Sequence, residues 1–158
     1  MPRAIRLLVL DVDGVLTDGR LYYGPRGEAL KVFHVHDGHG IVEVQRAGIT
    51  VAVISGRRSR MVSARCRELG VRHVFQGVSN KLTVLERLLK RLKLTAAECA
   101  CVGDDLPDLP LIERVGLSFA VADAVAAVRR RADRTTRARG GRGAVREVCA
   151  QLLRGQAP

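Results

Sequence analysis

Three short stretches hold most of the residues in this chain that could do chemistry: Asp11-Val12-Asp13-Gly14-Val15-Leu16-Thr17-Asp18, Ser55-Gly56-Arg57 and Gly103-Asp104-Asp105. Asp11 and Asp13 stand two apart at the end of an apolar run, so both carboxyl groups can face one site. Such a pair divides labour. An ionised Asp11 can attack phosphorus and form an acyl phosphate, while Asp13 protonates the leaving oxygen and then activates water. Two carboxylates facing a phosphate repel it, so the chemistry calls for cations. Asp11 and Asp104 are suited to Mg2+, which takes few carboxylates and shares phosphate oxygens. Lys81, opening a helical pattern, supplies further positive charge. Ser55, followed by Gly56, can hold a phosphate oxygen through its hydroxyl and neighbouring N–H groups. Gly14 is expected to let the backbone approach that phosphate.

Each feature is weak alone, since an Asp-x-Asp pair is most often a solvated turn or cap. Placement gives the set its weight. Four apolar runs, Ile5 to Leu10, Ile49 to Ile54, Ala100 to Val102 and Leu117 to Val121, read as strands covered on both faces. Between and around them lie helical patterns at His39 to Ala47, Ser59 to Leu69, Lys81 to Leu92, Leu106 to Arg114 and Ala124 to Arg131. This alternation predicts an α/β fold, a doubly wound parallel sheet. In such a sheet ligands sit beyond the carboxyl ends of the strands, where the three loaded stretches fall. Residues 19–36 break the alternation: two strand-like segments flank Gly24-Pro25-Arg26-Gly27, which predicts a projecting β-hairpin. Gly140-Gly141-Arg142-Gly143 then precedes a last amphipathic helix from Ala144 to about Leu153.

The 158 residues have the length of one ordinary domain, so 1–158 is read as a single domain. No apolar run is long enough to cross a bilayer, and Met1 to Ile5 leads into a strand rather than a signal peptide. A soluble, cytoplasmic protein with no membrane partner is expected. Cys66, Cys99, Cys101 and Cys149 lack paired zinc spacing and read as reduced, buried thiols. The net charge of +11 is concentrated late, from Arg129 to Arg146, but aromatic residues make up only 3% and no base-stacking platform is evident. Nucleic acid is therefore excluded as the main partner. Arg129 to Arg131 reads as a solvated helix end.

The order Asp-x-Asp, Ser-Gly-Arg, Lys, Gly-Asp-Asp resembles the four-motif pattern of the haloacid dehalogenase superfamily, a Rossmannoid fold. More narrowly, the chain is similar over nearly its whole length to the 3-deoxy-D-manno-octulosonate 8-phosphate phosphatase family. The resemblance is carried by Asp11 to Gly19, the hairpin with Phe33 and Asp37-Gly38-His39-Gly40, Gln76-Gly77 with Asn80-Lys81, Gly103 to Leu106, and Gly140 to Val148. It implies a Mg2+-dependent phosphoric monoester hydrolase in lipopolysaccharide precursor synthesis, with Asp11 as nucleophile and Asp13 as acid/base. Magnesium would be held by Asp11, the Asp13 carbonyl and Asp104, with Asp105 supporting them. Ser55 and Lys81 would bind the phosphoryl group of a small phosphorylated sugar acid, and Gly56 and Arg57 would face the substrate. The resemblance also implies a homotetramer built through the hairpins. Independently, only about 36 residues separate Asp18 from Ser55. That is too few for a cap domain, which needs roughly 50 or more, so a neighbouring subunit is expected to cover the site.

Two departures from the family pattern stand out. His36 occupies the position before Asp37-Gly38 where arginine is common, and the sequence stops at Leu152-Leu153-Arg154-Gly155-Gln156-Ala157-Pro158, shorter than relatives whose tails reach over an active site. Arg142, in its glycine-rich turn, could meet the substrate's carboxylate. His34 and His36 could share a strand face, but no closed zinc framework accompanies them. Two other readings use the same residues: a phosphatase for a nine-carbon 2-keto sugar acid phosphate, and a non-catalytic oligomeric scaffold of this fold.

Overall fold

The structure is a computed structural model and describes residues 4–155; the outermost tail, 156–158, and the first three residues of the lead-in fall outside it. Among the described residues, eight strands and six α-helices follow in order: β1 (Leu7–Leu10), β2 (Tyr22–Gly24), β3 (Gly27–Leu30), α1 (Val35–Arg46), β4 (Thr50–Ile54), α2 (Arg60–Glu68) and β5 (His73–Phe75). Then come α3 (Lys81–Leu92), β6 (Cys99–Gly103), α4 (Leu109–Ile112), β7 (Leu117–Ala120), α5 (Ala126–Arg131), β8 (Arg134–Thr135) and α6 (Ala144–Gly155).

Six strands form one sheet in the order β5-β4-β1-β6-β7-β8, and every pairing is parallel. All four residues of β1 are buried. Successive strand side chains point to opposite faces, so both faces of the sheet must be covered. The core runs from Leu7, Leu8 and Leu10 through Ile54, Leu85, Leu88 and Phe119. Each such side chain contributes about 1.5–3 kcal/mol by leaving water. On one flank α1 packs against α6 and β4; elsewhere α4 packs against α3, α5 and β6.

The chain winds outward from β1 in both directions, to β4 and β5 and then to β6, β7 and β8. The carboxyl end of β1 is therefore the topological switch point, where a parallel sheet opens a crevice. Asp11 follows β1 there.

Several sequence expectations change. Helix α1 begins at Val35, with His34 as its N-cap accepting from the His36 amide. His34 and His36 thus do not share a strand face. The expected helix from Leu106 to Arg114 is a 3-10 turn, Leu106–Asp108, followed by the short α4, because Pro107 and Pro110 remove two amide donors. Strands β5 and β8 lay outside the predicted runs. The hairpin forms as a two-stranded antiparallel sheet, β2 with β3, apart from the main sheet. It leaves Leu21, Tyr22, Tyr23, Leu30 and Val32 exposed.

Candidate active site

Parallel register brings the strand ends to one level. Leu10 pairs with Val53 of β4 and Val102 of β6, so Asp11, Ser55 and Asp104 emerge side by side. Asp11, Asp13, Ser55, Gly56, Arg57, Lys81, Asp104, Asp105 and Asp108 share one open cleft of about 300 Å³.

Its floor is ionic. Asp11, Asp104 and Asp108 each offer an oxygen within 4.8 Å of the others. Lys81 Nζ donates to Asp108 Oδ1 at 2.7 Å and lies 3.1 Å from Asp11 Oδ1. Asp108 Oδ2 accepts from the amides of Asp104 at 3.0 Å and Asp105 at 3.4 Å. Asn80 caps α3 by accepting from the Thr83 amide, which places Lys81 at the first helical position. A cation there opposes the helix dipole, and the two carboxylates offset that cost.

Burial, then the neighbouring Asp108, pushes the Asp11 carboxyl up to about 6 despite Lys81. Asp104 is pushed up to about 8 by burial and by Asp11, Asp108 and Asp105. Burial pulls on Lys81 in the opposite sense, yet Asp11 and Asp108 outweigh it and its ammonium is held above the ordinary lysine value. Carboxyls raised in this way, close together and facing an open cleft, fit a divalent cation with oxygen ligands.

The loop after Asp11 is a tight turn in which the amides of Val15, Leu16 and Thr17 all donate to Val12 O. Gly14 turns it with φ +85°, and a Cβ there would collide with the Asp104 carboxylate. Glycine at this position is thus what lets the Asp104 carboxylate approach the loop backbone so closely. Asp13 points towards the hairpin, its Oδ1 accepting from Lys31 Nζ at 2.7 Å, with Arg57 Nε 3.8 Å from Oδ2. Arg57 also donates to Glu28 at 3.2 Å, and its hydrogen bond to Tyr23 leads the effects that raise it further. Asp105 Oδ1 accepts from the Leu106 amide and starts the 3-10 turn.

Arg142 is not among the residues lining the cleft; its guanidinium is exposed and lies 3.8 Å from Asp18.

Comparison with known proteins agrees with this geometry. Residues 72–147 match the haloacid dehalogenase-like hydrolase family. The chain is 54% identical over 152 residues to the 3-deoxy-D-manno-octulosonate 8-phosphate phosphatase KdsC of Escherichia coli (strain K12), covering 96% of this chain and 81% of that protein. The chain belongs to the 3-deoxy-D-manno-octulosonate 8-phosphate phosphatase family of haloacid dehalogenase-like hydrolases. Among solved structures, a probable YrbI family phosphatase from Pseudomonas syringae superposes with a TM-score of 0.96 at 51% identity, covering 98% of this chain and 88% of that one. The phosphatase of Moraxella catarrhalis, solved in complex with magnesium, phosphate and KDO, gives 0.94 at 43% identity, covering 96% and 87%.

Three residues beside the loop of residues 11–18 carry little or no signal in the sequence. Asp108 had a faint signal, a third carboxylate four residues after Asp104. Glu28 and Lys31 have none, because nothing in the hairpin's residue pattern sets how it meets the loop after Asp11. The Gly140-Gly141 turn meets the loop after Asp11 through its backbone rather than through Arg142. The Gly141 amide donates to Val15 O at 2.9 Å, and side chains at Gly140 or Gly141 would collide with the backbone of residues 14, 17 and 18. These glycines brace the loop of residues 11–18. Helix α6 then starts against Asp37, a buried carboxylate on α1 that accepts from the Arg146 amide at 2.9 Å.

Proposed function

We propose that this chain hydrolyses 3-deoxy-D-manno-octulosonate 8-phosphate to the free sugar acid and phosphate, through an aspartyl phosphate on Asp11, as a step in lipopolysaccharide precursor synthesis. The observation that carries the reading is the convergence of Asp11, Lys81, Asp104 and Asp108 at the switch point of the sheet, in a chain 54% identical to a phosphatase of that name.

An Asp11 carboxylate oxygen attacks phosphorus as the bond from phosphorus to the sugar oxygen breaks. Asp13 donates its proton to that oxygen. In the second half, Asp13 takes a proton from water, the hydroxide oxygen bonds to phosphorus, and the bond from phosphorus to Asp11 breaks, releasing phosphate and regenerating both carboxyls. Lys81 neutralises the Asp11 side of the phosphoryl group, and Ser55 and the Gly56 backbone hold its oxygens. Arg57, at the cleft mouth, faces the sugar acid. Asp11 and Asp104, with the Asp13 carbonyl, would hold Mg2+, with Asp105 and Asp108 supporting them; a bound Mg2+ would offset charge building up on the phosphoryl oxygens.

The described chain acts as a single domain without a cap. The exposed apolar hairpin favours a homotetramer, since both its strand edges and Leu21, Tyr23 and Val32 are uncovered in one copy. A monomer by light scattering at micromolar concentration would remove the tetramer. Four free, buried cysteines suit the reducing cytoplasm, and no described helix is long and apolar enough to cross a membrane.

The test is phosphate release, with Mg2+ and with EDTA, from the eight-carbon ester, its nine-carbon analogues and common sugar phosphates. Metal-dependent preference for the eight-carbon acid supports the proposal, preference for a nine-carbon acid moves the substrate, and no release from any by folded protein sinks the enzyme reading. Asp11→Asn should abolish turnover with the fold intact; full activity in that variant would remove the nucleophile.

A further inference from the structure

The hairpin does more than present an apolar surface. Lys31, just beyond β3, is turned inward, and only 3% of its side chain is exposed. A lysine is almost never buried so deeply unless it is paired. Here it has two carboxylates, Asp13 Oδ1 at 2.7 Å and Glu28 Oε1 at 3.1 Å. Glu28 is shared in turn with Arg57, whose Nη2 lies 3.2 Å from Oε2, and Arg57 approaches the other oxygen of Asp13 at 3.8 Å. Two cations and two anions close a ring, so no charge in it is left uncompensated. The ring joins the hairpin to the catalytic loop across 18 residues of chain.

The two Asp13 oxygens are not equivalent within it. Oδ1 is fixed by a short, charge-assisted hydrogen bond. Oδ2 has Arg57 at ion-pair range but beyond hydrogen-bond length, and Arg57 lines the cleft. One oxygen is therefore anchored and the other is left on the cleft side, where a proton must be passed. Proton transfer needs the carboxyl within about 2.6–3.2 Å of the reacting oxygen. An aspartate free to rotate about χ1 would meet that condition only part of the time.

We infer that Lys31 is a positioning residue for proton transfer: with Glu28 it anchors Asp13 Oδ1 so that Oδ2 is presented to the leaving-group oxygen. This rests on the assignment of Asp13 as the acid/base. Lys31 contacts neither phosphate nor sugar in this scheme. It acts only through Asp13, so its removal should matter in proportion to how much the leaving group needs a proton.

The experiment compares kcat/KM, which reports steps through phosphoenzyme formation, for 3-deoxy-D-manno-octulosonate 8-phosphate and for p-nitrophenyl phosphate, whose leaving group departs without an acid. Lys31→Met is the direct variant. Glu28→Gln combined with Lys31→Met removes one anion with one cation and covers the case in which the single change misfolds. Either should lower kcat/KM for the sugar ester about 10- to 100-fold, and that for p-nitrophenyl phosphate by less than about threefold. Added to Asp13→Asn, Lys31→Met should cause no further loss on the sugar ester. Equal losses on the two esters, or a full additional loss in the Asp13→Asn background, would make Lys31 merely structural and overturn the inference alone. If Asp13→Asn itself treats both esters alike, the acid/base assignment falls and the inference falls with it.

Discussion

Replacing Asp108 by asparagine tests the floor of the cleft at a residue the sequence signals only faintly. Both carboxylate oxygens are committed: Oδ1 to Lys81 Nζ at 2.7 Å, Oδ2 to the amides of Asp104 and Asp105. Asparagine keeps the shape but has one acceptor and one donor group. If its oxygen stays on Lys81, its NH2 faces two backbone N–H groups; if it flips, the NH2 faces the ammonium. The charged hydrogen bond is worth about 1.5–3 kcal/mol and the neutral one about 1 kcal/mol. Breaking a buried pair outright costs about 3–5 kcal/mol, but Lys81 retains Asp11 at 3.1 Å, and loss of one negative charge eases the crowding around Asp11 and Asp104. The net loss is about 2 kcal/mol. For a chain of this length that lowers the melting midpoint by about 4–8 °C, measured calorimetrically with saturating Mg2+. Mg2+ affinity or kcat/KM should fall about 10- to 100-fold, as when a group that orients metal ligands is removed. A variant that melts within a degree of the parent and binds Mg2+ unchanged would refute the claim that Asp108 holds Lys81 and the Asp104 segment in place.

The other predictions follow from the same contacts. Asp104, held near 8, and Asp11, near 6, keep protons in the folded chain that the unfolded chain releases near 3.8. These two groups therefore make the metal-free fold lose stability as pH rises from about 4 to about 8. Mg2+ competes with those protons, so the rise in melting midpoint on adding Mg2+ should be larger at about pH 8 than at about pH 5; a rise independent of pH would contradict the linkage. Gly141→Ala meets both a φ of +70° and the backbone of Thr17 and Asp18, so it should cost about 1–3 kcal/mol and reduce turnover by displacing the catalytic loop. Circular dichroism melts and the phosphate-release assay check this, and a wild-type rate with a wild-type melt would mean that the turn does not brace the loop.

Much of this protein was legible from local pattern. The continuous apolar runs at β1, β4, β6 and β7 announce strands covered on both faces, and the helical period of Lys81 to Leu92 matches α3 residue for residue. A parallel sheet places function at strand ends, so Asp11, Ser55 and Asp104 group from the sequence alone, the first two directly after such runs and Asp104 one glycine beyond. What the sequence could not carry was anything set by how separate segments meet. β5 and β8 are three and two residues long, too short to show a period, and they exist because β4 and β7 offer open edges. Arg142 pairs with Asp18, and Gly140-Gly141 closes on the loop after Asp11, because α6 docks on α1 and fixes where the turn lies. The link from Lys31 to Asp13 depends on the angle at which the hairpin leaves the domain. Periodicity reports which side of an element faces the core; which charged group on one element reaches another is decided only when packing brings the elements together.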